Sequence, residues 1–195
     1  MNRREEIGRQ RRVSDEMTTM YSVLRDRYAR RARCLTLSIF FASIVLATAT
    51  FLQDSDLSQF GVSGGGLRLA MGIASAVALF ASVAELTLRW REVSQSYGDA
   101  AQRTARAKAD SREALVLDEE IDEGRFKELS NKFNAAMQGL PGIPDRQFVA
   151  LKAYHLRKVQ LSEMCDRSAG CPVWVLRVKL FLSGLRAAWR GKPDA

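Results

Sequence analysis

Few side chains in this chain could do chemistry. His155 is the single histidine, and with Cys165 and Cys171 it makes a conceivable zinc set. The spacing fits no standard zinc pattern, in which Cys and His ligands come in closely spaced pairs. The acid-rich DEEIDE at residues 118–123 could draw a cation, but it reads as the charged end of an exposed helix. There is no glycine-rich phosphate loop, HExxH, nucleophile elbow or CxxC. The expectation is a protein that is not an enzyme, with no catalytic residue, cofactor or metal.

Other groupings could bind or conduct. Lys152, His155, Lys158 and Ser162 fall within about a third of a helix circumference, at roughly 100° per residue. That compact cationic face is either a seat for a phosphate-bearing ligand or lipid head groups, or a solvated helix face. Thr36, Ser43 and Thr50 recur every seven residues, so their hydroxyls share a stripe. The stripe either lines water or satisfies itself on preceding backbone carbonyls. Glu85 stands close to an apolar run, either as an interfacial residue or in a cation-attracting ring at a pore mouth. Ala70, Ala74, Ala78 and Ser82 repeat every four residues, with Gly72 and Ala76 beside them. Such a small face allows close packing, within a helical hairpin or between subunits of an oligomer.

The elements carrying these residues are set by two apolar blocks. Twenty residues without a charge, 34–53, are followed by sixteen more, 69–84. At about 1.5 Å per residue the first covers the roughly 30 Å hydrocarbon core, and the second does so by extending to Leu88. The mean hydropathy of −0.17 would also suit buried helices in a soluble domain. The apolar residues are blocked rather than periodic, however, which points to two transmembrane helices, at 34–53 and 69–88.

Charge sets their orientation. Residues 1–33 carry ten arginines against five acids, whereas 54–68 hold two aspartates and one arginine. Cationic flanks stay inside, so both termini are expected in the cytoplasm and 54–68 outside as a short loop in which Gly64, Gly65 and Gly66 form no element. The long charged region ahead of a long apolar stretch argues against a cleaved signal peptide. Cys165 and Cys171 then face a reducing compartment, and no disulfide framework is expected. The net charge of +8 gathers beside the membrane, making the anionic inner leaflet a simpler partner than nucleic acid.

Val13, Met17, Met20, Tyr21, Leu24 and Tyr28 recur at threes and fours, so Ser14 to Arg33 reads as an amphipathic helix entering the membrane. Leu86, Trp90, Val93, Tyr97, Ala100, Thr104, Ala107 and Ser111 continue the second span as one helix, with Gly98 its weak point. Antiparallel contact between the two stripes would prolong the hairpin. Residues 115–137 read as helix, turn, helix. A further helix starts near Asp145 as its cap and ends at Ser168 to Pro172. Residues 173–195 form an amphipathic tail in which Lys179, Ser183, Arg186 and Arg190 share a side. As a third span it would bury Arg177 and Lys179 at about 2.5–3.5 kcal/mol each. It therefore reads either as a helix lying on the inner leaflet or as one packed on the cytoplasmic helices. The predicted class is all-α: a two-transmembrane helical hairpin extended into a cytoplasmic antiparallel helical bundle, residues 1–33 and 89–172.

The order of these features resembles a known family. A basic helix, a two-span hairpin, a long helix opening Leu88-Arg89-Trp90 with Tyr97 and Ala100-Ala101, and IPDRQFVALKAYHLRKVQLSEM followed by Gly170 to Pro172 look like the SLATT domain. That name denotes a SMODS- and SLOG-associating two-transmembrane effector domain; HLRK, His155 to Lys158, is the most distinctive piece. The resemblance implies a bacterial anti-phage effector in the cell membrane. It would oligomerise and form a pore, or disrupt the inner membrane, when a nucleotide-signal synthase or sensor encoded nearby detects infection, with cell suicide or dormancy as the outcome. The alternative from the residues alone is a non-catalytic membrane-anchored scaffold that recruits a cytoplasmic partner. A nucleotide or nucleic-acid sensor would rest only on the Lys152 to Ser162 face and the arginine-rich start.

Overall fold

The computed structural model describes residues 3–51, 64–117, 121–168 and 170–190. All the regular structure among them is helical: α1 (Arg3–Phe51), α2 (Gly64–Leu88), α3 (Trp90–Leu117), α4 (Glu123–Met137), α5 (Asp145–Arg167) and α6 (Val173–Arg190). The chain divides into two compact units, Met1–Pro141 and Gly142–Ala195.

In the first unit α1 is one helix of 49 residues, starting eleven positions before the expected Ser14. At 1.5 Å per residue it is about 74 Å long. Its earlier start follows from Ile7 and Gln10, both buried, which extend the three-and-four stripe towards the N-terminus. Glu5 and Glu6 in its first turn meet the positive end of the helix dipole. Ahead of its apolar stretch the buried positions are Ile7, Gln10, Ser14, Thr19, Met20, Tyr21 and Leu24, whereas Val13, Met17 and Tyr28 are only half-buried.

α2 has 25 residues, about 37 Å at the same rise. Gly64, Gly65 and Gly66 belong to it, contrary to expectation. They occupy its first turn, where a poor helix former costs least. Residues 52–63, which include most of the expected external loop, lie outside the described residues. Both α1 and α2 contain stretches long and apolar enough to cross a membrane, and only 6% of the most apolar window in each is buried. Phe40, Phe41 and Phe80 are 63–75% exposed. Helices forming the core of a soluble domain would hide these side chains.

The expected continuous helix from Leu86 into α3 is interrupted at Arg89, which has φ 44°. Left-handed backbone crowds Cβ and costs a non-glycine residue roughly 1–2 kcal/mol. Hydrogen bonds still bridge the joint, from Arg89 N to Glu85 O (3.3 Å) and from Val93 N to Arg89 O (3.1 Å). The joint is also where the stripe changes. Leu86 is 81% exposed, while Tyr97, Ala100, Thr104, Ala107 and Ser111 are all buried in α3. Gly98 stands mid-helix with the stem of Arg25 over it, 3.4 Å from where a Cβ would stand.

α1 packs against α2, α3 and α4, and α3 against α4. At the Arg3 end, Ile7, Ala114, Ile121 and Leu129 form an apolar cluster flanked by Leu115 and Phe126. The acid-rich segment has structural work there. Asp122 accepts from Gly124 N (3.1 Å) as the cap of α4, and Glu123 pairs with Arg3 (3.4 Å) and Lys127 (2.7 Å).

In the second unit α5 and α6 pack against each other. Asp145 is not the cap of α5. Pro144 holds that position without a side-chain hydrogen bond, and Asp145 places its charge in the first turn. α5 ends at Ser168, and α6 starts directly after Pro172, whose carbonyl accepts from Val175 N (3.0 Å). Leu151, His155 and Leu176 are buried in this unit.

Candidate functional site

The richest polar arrangement lies along the seam between α1 and α3. Its contacts pair rising numbers on α1 with falling numbers on α3, so the helices run antiparallel. From the Arg3 end, Arg4 donates to Leu115 O (3.1 Å) and Asp15 pairs with Lys108 (2.7 Å). Thr18 then donates to Thr104 Oγ1 (2.9 Å), and Ser94 to Arg25 O (3.0 Å). Thr104 passes its own proton to Ala100 O (3.0 Å), and Ser111 donates to Ala107 O (2.8 Å). The α3 side of the seam is built from Ala, Ser and Thr, and these small residues let the backbones approach.

Two groups on α1 lack what burial demands, Ser14 along the seam and Gln10 facing α4. Gln10 donates its amide to Ser130 Oγ (3.3 Å), but its Oε1 and Ser14 Oγ are buried with no hydrogen-bond partner among the described residues. An unsatisfied buried polar atom costs about 1–3 kcal/mol. The α1–α3 contact is thus specific, with one buried hydroxyl, Ser14 Oγ, lacking a partner among the described residues.

Towards the apolar stretches the seam becomes aromatic. Tyr21 and Tyr28 both stack on Tyr97, at centroid distances of 6.0 and 5.6 Å. The Arg31 guanidinium lies 5.5 Å from the Tyr28 ring and 5.8 Å from Trp90. Each such cation–π contact contributes about 0.5–1 kcal/mol when exposed. Tyr21 donates to Pro141 O (3.1 Å), tying the segment after α4 to the seam. Burial, then the neighbouring Tyr97, pushes the Tyr21 phenol above its ordinary value. Burial and the neighbouring Tyr28 do the same to Tyr97. A cleft of about 310 Å³ opens beside α3, lined by Glu92, Gln95, Asp99, Arg103, Gly139 and Pro141 among others.

The groups singled out in the sequence are distributed differently. Thr36 Oγ1 donates to Ala32 O (3.1 Å) and Ser43 Oγ to Ile39 O (2.9 Å), each satisfied on its own helix. The Thr50 side chain lies outside the described residues, and Glu85 is exposed. Among the described side chains of α2 the half-buried and buried positions are Met71, Ala74, Ala78, Ala81 and Ala84, spaced by threes and a four. A strict four-residue repeat drifts around a helix by about 40° per step, so Ala70 and Ser82 end up exposed. Ala42 is the buried residue of the apolar part of α1.

The Lys152, His155, Lys158, Ser162 face does not hold together as one surface. His155 is 8% exposed with Nδ1 lacking a partner among the described residues, while Lys152, Lys158 and Ser162 are exposed. Cys165 is half-buried and Cys171 exposed, and no three His, Cys, Asp or Glu side chains converge among the described residues. Sequence reasoning passed over Gln10, Ser14, Asp15, Lys108, Arg31 and the Arg89 joint. The 7-14-21-28 and 10-17-24-31 heptads were the signal for the first two. No protein-family model, curated protein or solved structure matches the chain.

Proposed function

We propose that this chain is a two-transmembrane effector of a bacterial conflict system, held in the cell membrane with both termini in the cytoplasm. On activation by a sensor partner or nucleotide signal it oligomerises and opens or disrupts the bilayer. Its mechanism is population shift, not chemistry. A trigger binds the active arrangement more tightly than the resting one and moves the equilibrium by that difference.

The observation that carries this reading is the make-up of the α1–α3 seam. Its α3 side is mostly small and polar (Ser94, Ala100, Ala101, Thr104, Ala107, Ser111) against Met20, Tyr21 and Leu24 of α1, and Ser14 Oγ has no partner among the described residues. α1 continues from this seam without a break into an apolar stretch, and α3 joins α2 through Arg89, so movement at the seam reaches both spans. The excess of arginine in residues 1–33 supports the orientation. The resemblance to SLATT proteins supports the biological setting.

Exchange of residues 34–53 and 69–88 for unrelated Leu-rich spans separates this reading from a membrane-anchored scaffold. A scaffold keeps its function after the exchange. A pore or membrane-disrupting effector loses it while still reaching the membrane.

A further inference from the structure

We propose that α6 is an interfacial helix with two working faces, one set against α5 and the other on the surface of an anionic lipid leaflet. α6 meets α5, and Leu176 is buried at 3% exposure. About 120–160° around the helix from Leu176 lies a second apolar arc made by Phe181, Trp174, Val178 and Leu182. It is not covered: Trp174 is 69% and Phe181 66% exposed. Arg177 stands about 40° beyond one edge of that arc and Lys179 about 60° beyond the other. Both cations are exposed.

This arrangement fits lipid better than a second copy of the chain. Apolar side chains bounded on both flanks by cations match an acyl boundary bordered by phosphates, where Arg and Lys extend their heads to the interface. Residues 173–190 contain four cations and no carboxylate. A second copy of α6 would set these like charges together, whereas anionic head groups neutralise them. The inference rests on the membrane reading of α1 and α2 and not on pore formation.

The test uses the full chain with Cys34, Cys165 and Cys171 replaced by serine, reconstituted into phosphatidylglycerol–phosphatidylethanolamine vesicles that carry a doxyl-quencher lipid. An environment-sensitive fluorophore is attached through Phe80→Cys, which reports insertion of α2, or through Val178→Cys, which reports α6. Quenching at both positions is expected. At Val178 it should fall several-fold in Arg177→Glu/Lys179→Glu or in phosphatidylcholine vesicles, with the Phe80 signal unchanged. Quenching at Phe80 with the Val178 label open to aqueous iodide overturns the proposal. So does a Val178 label shielded from iodide and doxyl lipid alike, since protein then covers the face, and so does equal quenching in phosphatidylcholine. Absence of quenching at Phe80 overturns the membrane reading itself.

Discussion

Thr18 and Thr104 meet across the α1–α3 seam with their hydroxyls 2.9 Å apart, and Thr104 donates its own proton to the carbonyl of Ala100. Thr104 is fully buried, and Ser14, the preceding turn's residue on α1, is buried with its hydroxyl lacking a partner among the described residues. Neighbouring polar groups in one seam therefore act with opposite sign, and substitutions separate them. Thr104→Val keeps the shape and loses the interhelical bond, and should destabilise the folded chain by about 1 kcal/mol. Ser14→Ala removes an orphan and should stabilise it by a similar amount. Thermal unfolding in detergent micelles reads both, and equal signs would contradict this account.

Gly98 lies mid-helix with room for a methyl group against the Arg25 stem. Gly98→Ala should stabilise α3 by about 0.5–1 kcal/mol, because glycine loses more backbone freedom on folding. Helicity and melting temperature should both rise. A stiffer α3 should also delay activation, measurable as a later onset of growth arrest.

Ala78 sits half-buried on the α2 face that carries Ala74 and Ala81, whereas Ala70 is exposed. A bulky residue at a packed small position costs about 1–3 kcal/mol through displaced neighbours. Ala78→Phe should abolish activity. Ala70→Phe should leave α2 packing intact and alter only an oligomer contact. Full activity and unchanged oligomer size in Ala78→Phe would remove the small-face argument.

Tyr21 and Tyr97 both have phenol values raised, in each case first by burial. The folded values lie above the unfolded one, so their contribution is complete below about pH 10 and is lost as pH rises through the folded values. Alkaline titration followed by tyrosinate absorbance should show two of the four tyrosines ionising late, together with loss of helix packing. Tyr97→Phe should remove one of the late transitions.

What could be read from residues alone followed periodicity. The apolar runs of α1 and α2 and the stripe from Tyr97 to Ser111 stand out because side-chain type repeats with the helical turn. Gln10 and Ser14 did not, because a polar residue on a helix normally signals solvent, and only a helix packed against it buries it. Arg89 carries no local mark of its left-handed backbone. Asp145 looked like a cap by type, yet Pro144 ahead of it took the position. His155 shared a face with Lys152 and Lys158 by angle, but which part of that face is covered depends on tertiary packing.

The claim that separating α1 from α3 activates the chain is tested most directly by membrane potential in bacteria expressing Lys108→Glu. This change sets a second carboxylate against Asp15, which now pairs with Lys108 at 2.7 Å. Depolarisation should precede growth arrest without any partner gene. The exchanged pair Asp15→Lys/Lys108→Glu should restore the resting potential at equal membrane abundance. Normal potential in Lys108→Glu at that abundance, or equal depolarisation in the exchanged pair, would contradict the seam as the switch.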